Sequence, residues 1–293
     1  MQKIAFIGLG IMGKAMVQNL LKKGYSVDFY ARHKERTLPV IEAGAVFHDN
    51  IHDAVCSADA VITMVGGPKD VEELYYKDGG ILESVKEGTY LIDMTSSSPS
   101  LAQKLYQDAK ERHLFALDVP VTGGDVGARE GTLSLMVGGD KEVLDKVYDI
   151  LKAMGSKITY MGRAGSGQNC KLVNQIMCAG ALAGMCEGLA YASFTGLKLQ
   201  DVLDAVSQGA AASRSLDLYG ERICRGDMQP GGALSYLVKD LKNAHAELKG
   251  KKLELKMTDA VLDVYARMES LGQGALGVQA MYAYLLDQEK NHE

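Results

Sequence analysis

The sequence predicts a two-domain α/β protein: a doubly wound, mostly parallel sheet, joined by a long helix to a second, all-α domain. Three observations predict it. Short apolar runs alternate with helical patterns through the first half of the chain. A glycine-rich turn separates the first apolar run from the first helical pattern. From about Gly167 the strand signals stop, and helical patterns punctuated by Gly209, Gly226, Gly231, Gly232 and Gly250 fill the remainder. The 293 residues suit two domains at about 150 residues each, and the predicted division is 1–163 and 164–293.

The elements follow in order. Lys3–Ile7 reads as a short buried strand. Met12, Ala15, Met16, Asn19 and Leu20 then recur at helical spacing, and Gly24 stops that helix. Ser26–Tyr30 is the second strand, and Ala58–Val65 the third, ending in Gly66-Gly67-Pro68. Tyr90–Met94 is followed by a serine-rich turn and a helix from Ser100. Phe115–Val119 and Leu133–Val137 complete the predicted strands.

Composition excludes several classes of function. The chain is 47% hydrophobic and 24% charged with a net charge of −5, and no basic block or stripe interrupts it. Nucleic acid is therefore not an expected partner. The five cysteines are odd in number and widely spaced, with no C-x-x-C pair, so neither a disulfide framework nor a zinc site is expected. The residues predict no metal site at all, and a cytoplasmic chain without a signal peptide. Gln175–Leu197 is long enough to cross a bilayer, but it is rich in Gly and Ala and carries Glu187, which would be costly in lipid. It reads as a soluble helix whose Gly180, Gly184 and Gly188 stripe lets another helix approach. No membrane partner is expected.

The loop Gly8-Leu9-Gly10-Ile11-Met12-Gly13 lies between a strand and a helix, the context in which G-x-G-x-x-G signals a Rossmann-type dinucleotide site. The first glycine permits a tight turn, the second lets backbone approach a pyrophosphate, and the third packs helix on strand; the helix N-terminus attracts the anion. The end of the second strand then selects the cofactor. Asp28 is about 20 residues past the first glycine, where an acid would hold the ribose of NAD, but it alternates inside the strand. Arg32 follows the strand end, and an arginine there suits a 2′-phosphate. The reading is NADP rather than NAD, with adenine stacking as the other role open to Arg32. Ligands sit outside the carboxyl ends of such strands, which adds Met64, Val65, Gly66 and Ser96 to the cofactor set. Ser96 has a second reading, as a helix-entry residue ahead of Pro99.

The chemical centre is predicted further on. Asp118-Val-Pro-Val-Thr-Gly-Gly124 ends a strand in a hydroxyl and two glycines, where consecutive N–H groups of Thr122, Gly123 and Gly124 can cradle a carboxylate. Lys171 stands one turn into the long helix, with Asn174 and Gln175 on the same face.

Together these segments resemble the β-hydroxyacid dehydrogenase family, which includes 3-hydroxyisobutyrate dehydrogenases and tartronate semialdehyde reductases. Five stretches carry the resemblance: Gly8–Gly13, Asp93-Met-Thr-Ser96, Pro120-Val-Thr-Gly-Gly124, Gly165-Ser-Gly-Gln-Asn-Cys-Lys171 and Lys239-Asp-Leu241. The resemblance implies that Lys171 is the catalytic lysine, that Thr122, Gly123 and Gly124 grip a substrate carboxylate, and that Ser96 and Lys239 lie near the nicotinamide. Three departures stand out. Thr122 replaces the usual serine, Gln175 stands where the amide partner of the lysine is usually Asn, and no acid occurs in Gly274-Ala-Leu-Gly-Val-Gln279. Either Gln175 or Asn174 takes the amide role.

The implied reaction is hydride transfer between a nicotinamide and a short 3-hydroxy acid or its semialdehyde. Lys171 would give a proton to the developing alkoxide or take it back. An imine reductase is the alternative enzyme, disfavoured because such proteins usually replace the lysine. A non-catalytic cofactor-binding regulator would lack the proton donor and the Thr-Gly-Gly loop. The larger 6-phosphogluconate dehydrogenases need a longer helical half. The partner is a small carboxylate-bearing substrate, and a glycine-lined helix suggests a homodimer or homotetramer.

Overall fold

The computed structural model describes residues 2–290. Two compact units divide the chain, Met1–Lys171 and Leu172–Glu293.

The first unit opens with β1 (Lys3–Ile7), α1 (Ile11–Lys22), β2 (Ser26–Tyr30), α2 (Leu38–Glu42), β3 (Val46–Phe47) and α3 (Ile51–Val55). It continues with β4 (Ala60–Thr63), α4 (Pro68–Tyr76), α5 (Ile81–Ser84), β5 (Tyr90–Asp93), α6 (Pro99–Glu111) and β6 (Phe115–Asp118). It closes with β7 (Val121–Thr122), α7 (Gly124–Glu130), β8 (Leu133–Gly139), α8 (Lys141–Lys152), β9 (Gly155–Gly162) and the first turns of α9 (Ser166–Phe194).

The sheet order is β3-β2-β1-β4-β5-β6-β8-β7, with β9 added on β8. Pairing is parallel from β3 to β6 and between β8 and β9, and antiparallel where β8 meets β6 and β7. The order reverses between β1 and β4, so their carboxyl ends form the crevice where such sheets bind ligands. Both sheet faces are covered. Ile4 and Phe6 of β1 enter one buried apolar cluster, whereas Ala5 and Ile7 enter another, as the two-residue period of a strand requires.

Three strands, β3, β7 and β9, have no counterpart in the sequence reading. The first and second are two residues long. Most of β9 is exposed, so it offers no apolar run to detect.

The second unit contains the rest of α9, then α10 (Leu199–Val206), α11 (Arg214–Cys224), α12 (Leu234–Leu248), α13 (Lys256–Met268) and α14 (Met281–Lys290). No strand occurs among its described residues. Ala179, Leu182, Ala183, Cys186 and Leu189 line one side of α9 and join Leu237, Leu241 and Tyr265 in a single core. The fully buried Tyr265 satisfies its hydroxyl by donating to the Val278 carbonyl at 2.8 Å. Among the described residues, nothing outside the helix's own neighbouring turns lies within 4 Å of a Cβ built on Gly180, Gly184 or Gly188, so the stripe is open, and Met177 and Tyr191 beside it are each 69% exposed. The α9 helix is long and apolar enough to cross a membrane, yet its buried side is the core of a helical unit.

Candidate active site

The first cluster of site residues forms where β1 and β4 end. Gly8 has φ +101°, and a side chain there would strike the Met64 carbonyl and Val65; at Gly13 it would strike the Gly8 carbonyl. These two glycines close the turn against the neighbouring strand end. Gly10 is different: its φ is −72°, and nothing lies within 4 Å of a Cβ built on it. No contact within the chain demands glycine there. The α1 N-terminus that Gly10 begins has no side-chain cap and no acid in its first turn, so its donors and dipole face outward for an anion. Ile11 is 73% exposed beside it. Leu9 is buried in the core, and Met12 packs against it, so within this loop those two side chains hold the turn in place. The loop geometry fits a dinucleotide pyrophosphate.

Asp28 is 5% exposed, and Lys3 Nζ lies 3.0 Å from its Oδ2. Its carboxylate is spent inside the sheet. Arg32, beyond the strand end, is exposed and pairs with Asp70 near the start of α4. Met64 and Val65 are half-buried and Gly66 exposed. The Val65 N–H donates to Thr95 Oγ1 at 3.1 Å, which joins the end of β4 to the segment after β5. Ser98, not Ser96, caps α6: its side chain accepts from the Leu101 N–H at 3.2 Å.

Thr122 ends β7, and Gly123 and Gly124 follow with φ +134° and +65°. The two glycines are exposed at the start of α7, which has no side-chain cap.

Lys171, in the second turn of α9, is 8% exposed. The start of its helix is bound by two residues that sequence reasoning missed. Asp118, at the end of β6, accepts from the Gly165 N–H at 2.7 Å and the Gln168 N–H at 2.8 Å. Burial pushes the Asp118 carboxyl up to about 6, against the lowering effect of these two bonds. Gln168 is fully buried; its Nε2 donates to the Thr95 carbonyl at 2.8 Å and its Oε1 accepts from the Ser97 N–H at 2.9 Å.

The remaining predicted residues belong to the second unit. Gln175 Nε2 donates to Asp240 Oδ2 at 2.7 Å, and its Oε1 accepts from Asn174 Nδ2 at 2.7 Å. Asp240 is 4% exposed, and Lys239 Nζ lies 3.1 Å from its Oδ1. The longer reach of Gln175 thus ends on a buried carboxylate. Asp240 was also missed; its signal was adjacency to Lys239. Among the described residues no group of acidic, histidine or cysteine side chains has the arrangement of a metal site.

Known protein families match nearly the whole chain. Residues 3–162 match the NAD binding domain of 6-phosphogluconate dehydrogenase, and residues 165–285 match the NAD-binding family of NADP-dependent 3-hydroxyisobutyrate dehydrogenase. The chain is 44% identical to the uncharacterized oxidoreductase YkwC of Bacillus subtilis, over 95% of this chain and 97% of that protein. It is 33% identical to the 2-hydroxy-3-oxopropionate reductase of Escherichia coli, over 99% of each. The solved 3-hydroxyisobutyrate dehydrogenase of Mycobacterium tuberculosis, described with L-serine, superposes with a TM-score of 0.88 at 27% identity, over 97% of this chain and 99% of that one. The chain belongs to the β-hydroxyacid dehydrogenase family, NAD(P)-dependent oxidoreductases that act on CH–OH groups.

Proposed function

We infer that this enzyme interconverts a short 3-hydroxy acid and its semialdehyde, with NADP as the favoured cofactor and Lys171 as general acid and base. The observation that carries the reading is the buried Lys171 on a helix start fastened to the strand ends of a dinucleotide-binding sheet. The bound nicotinamide supplies or takes up the hydride. Lys171 gives its proton to the oxygen that becomes the hydroxyl, and takes one back in the oxidative direction. The N–H groups of the Thr122–Gly124 turn hold the substrate carboxylate, and Asn174 and Gln175, ordered by Asp240, complete the substrate-binding set. Fixing the carboxylate places the reacting carbon, so orientation supplies much of the rate.

Gly8 to Gly13, Met64, Val65, Gly66 and Ser96 are assigned to the cofactor by their place at the strand ends, and Lys239 by the family resemblance alone. Asp28 is paired with Lys3 inside the sheet, whereas the Arg32–Asp70 pair lies exposed beyond the strand, where Arg32 can exchange Asp70 for a 2′-phosphate. The cysteines all carry free thiols, in keeping with a reducing cytoplasm. The exposed glycine face of α9, flanked by Met177 and Tyr191, supports a homodimer or homotetramer. Light scattering at assay concentration is expected to give a mass above one protomer, and a protomer mass rejects the assembly.

One kinetic panel tests the chemistry. Short 3-hydroxy acids and semialdehydes are assayed by absorbance of the reduced cofactor, with NADPH and NADH compared, for the wild type and Lys171→Ala. The variant is expected to lose about 100- to 10,000-fold in turnover while binding NADPH nearly as well. Substantial residual turnover removes Lys171 from the mechanism, and a strong NADH preference removes Arg32 from cofactor choice.

A further inference from the structure

The start of α9 is held by a set of contacts that all lie in the first unit. Gly167 sits so close to the ends of β6 and β8 that a Cβ there would lie 2.6 Å from the Asp118 carbonyl oxygen and 2.8 Å from Asp118 Oδ2, and would strike the Met136 carbonyl. Asp118 accepts the Gly165 and Gln168 N–H groups, one on each carboxylate oxygen. These contacts locate the helix against β6 and β8. They do not by themselves relate it to the segment that follows β5, where Ser96 stands.

Gln168 makes that connection. Its amide uses both ends on the backbone, donating to the Thr95 carbonyl and accepting from the Ser97 N–H. The two contacts straddle Ser96 in the manner of a short strand pairing. Thr95 is in turn fixed on its other side, since its N–H donates to Asp93 Oδ1 at 3.1 Å and its hydroxyl oxygen accepts from Val65 N–H at 3.1 Å. Gln168, Thr95 and Ser97 are all buried, so water does not compete for these bonds and each unmade one leaves an orphaned backbone group. Lys171 follows Gln168 by three residues on the same helical face.

We propose that Gln168 is a positioning residue for hydride and proton transfer: its side-chain amide ties Thr95–Ser97, the segment assigned above to the cofactor through Ser96, to the helical turn that carries Lys171. The spacing between proton donor and cofactor wall is then set by one rigid bridge. The proposal rests on the reading of Lys171 as proton donor. A neutral amide suits the bridge, which needs one donor and one acceptor in a single plane; methionine of similar length supplies neither, and a glutamate carboxylate only the acceptor.

The test uses the full-length enzyme and the best substrate found among 3-hydroxyisobutyrate, L-serine and 2-hydroxy-3-oxopropionate. Wild type, Lys171→Ala, Gln168→Met and Gln168→Glu are compared. Gln168→Met keeps the length and removes both bonds; Gln168→Glu keeps acceptance from Ser97 N–H and carries the test where the methionine variant fails to fold. The expected kcat order is wild type, then Gln168→Glu, then Gln168→Met, with the last about 100-fold down, the loss expected when reacting groups shift by about an ångström. KM and the NADPH binding stoichiometry stay near wild type. The isotope effect rises, read with 4-deuterated NADPH for reduction of 2-hydroxy-3-oxopropionate or with the carbinol carbon deuterated and NADP+ for oxidation of either hydroxy acid, because the chemical step becomes limiting, a change that a smaller folded fraction does not produce. If Gln168→Met, or failing that Gln168→Glu, keeps kcat within about twofold of wild type while Lys171→Ala is inactive, the bridge is overturned and the lysine assignment survives. If Lys171→Ala remains active, the lysine assignment falls, and the proposal with it.

Discussion

Two helices of the first unit begin with the same local pattern and do opposite things. Gly8-Leu9-Gly10 leads into α1, and Gly165-Ser166-Gly167 spans the start of α9. At α1 the terminus has no side-chain cap, no first-turn acid, and open space at Gly10. At α9 the carboxylate of Asp118 already occupies the N–H groups of Gly165 and Gln168. One terminus offers its dipole to an external anion, whereas the other has an internal anion built in. A glycine pair at a helix start is therefore not in itself a phosphate signal. What decides is whether a neighbouring strand end supplies a carboxylate, and here β6 does so while β1 and β4 do not.

The most direct way to break this contrast is to give α1 what α9 has. Gly10→Asp places a carboxylate at an N-cap with room for it. Asp exceeds Gly as an N-cap by only a few tenths of a kcal/mol, so thermal stability is expected to hold or rise slightly. Dinucleotide binding is expected to collapse, because a like charge opposing the pyrophosphate costs several kcal/mol, about 1,000-fold in Kd. Titration of NADPH fluorescence measures the loss, and unfolding in urea checks the fold. Wild-type affinity in the variant would place the pyrophosphate elsewhere.

The contrast also explains what was legible. The glycine loop was readable because its chemistry is local: strand, turn and helix are contiguous, and the pattern declares all three. Arg32 stands two residues past the end of β2, close enough in sequence to be read together with that loop. The parallel strands were readable as apolar runs buried on both faces. Asp118 and Gln168 were hidden because their partners are distant in sequence, 47 residues from Asp118 to Gly165 and 73 from Gln168 to Thr95. Asp118 stood in plain view at the end of a predicted strand, but nothing local distinguishes a carboxylate turned toward another helix from one turned to solvent. Gln175 shows the same limit. Its departure from the usual Asn is visible in the sequence, but its donation to Asp240, 65 residues away, is not.

A smaller effect sharpens the comparison from the side of α9. Asp118 titrates at about 6 in the folded chain, against roughly 3.9 when unfolded. The folded state therefore holds the proton more tightly than the unfolded one. The contribution of this group to stability is full below the unfolded value and is lost as pH rises through the folded one. A displacement of that size amounts to about 2–3 kcal/mol. Burial, the largest influence on this group, outweighs the two backbone donors that favour its anion. Asp118→Asn removes the titration. Urea unfolding of both proteins from pH 4 to pH 7 is expected to show the stability of the wild type, relative to the variant, falling by about 2–3 kcal/mol between pH 4 and 6 and flattening above. A difference that does not change with pH would mean that the helix N-terminus compensates the buried charge in full. The α9 terminus would then rival α1 as an anion site, one whose anion the chain carries itself.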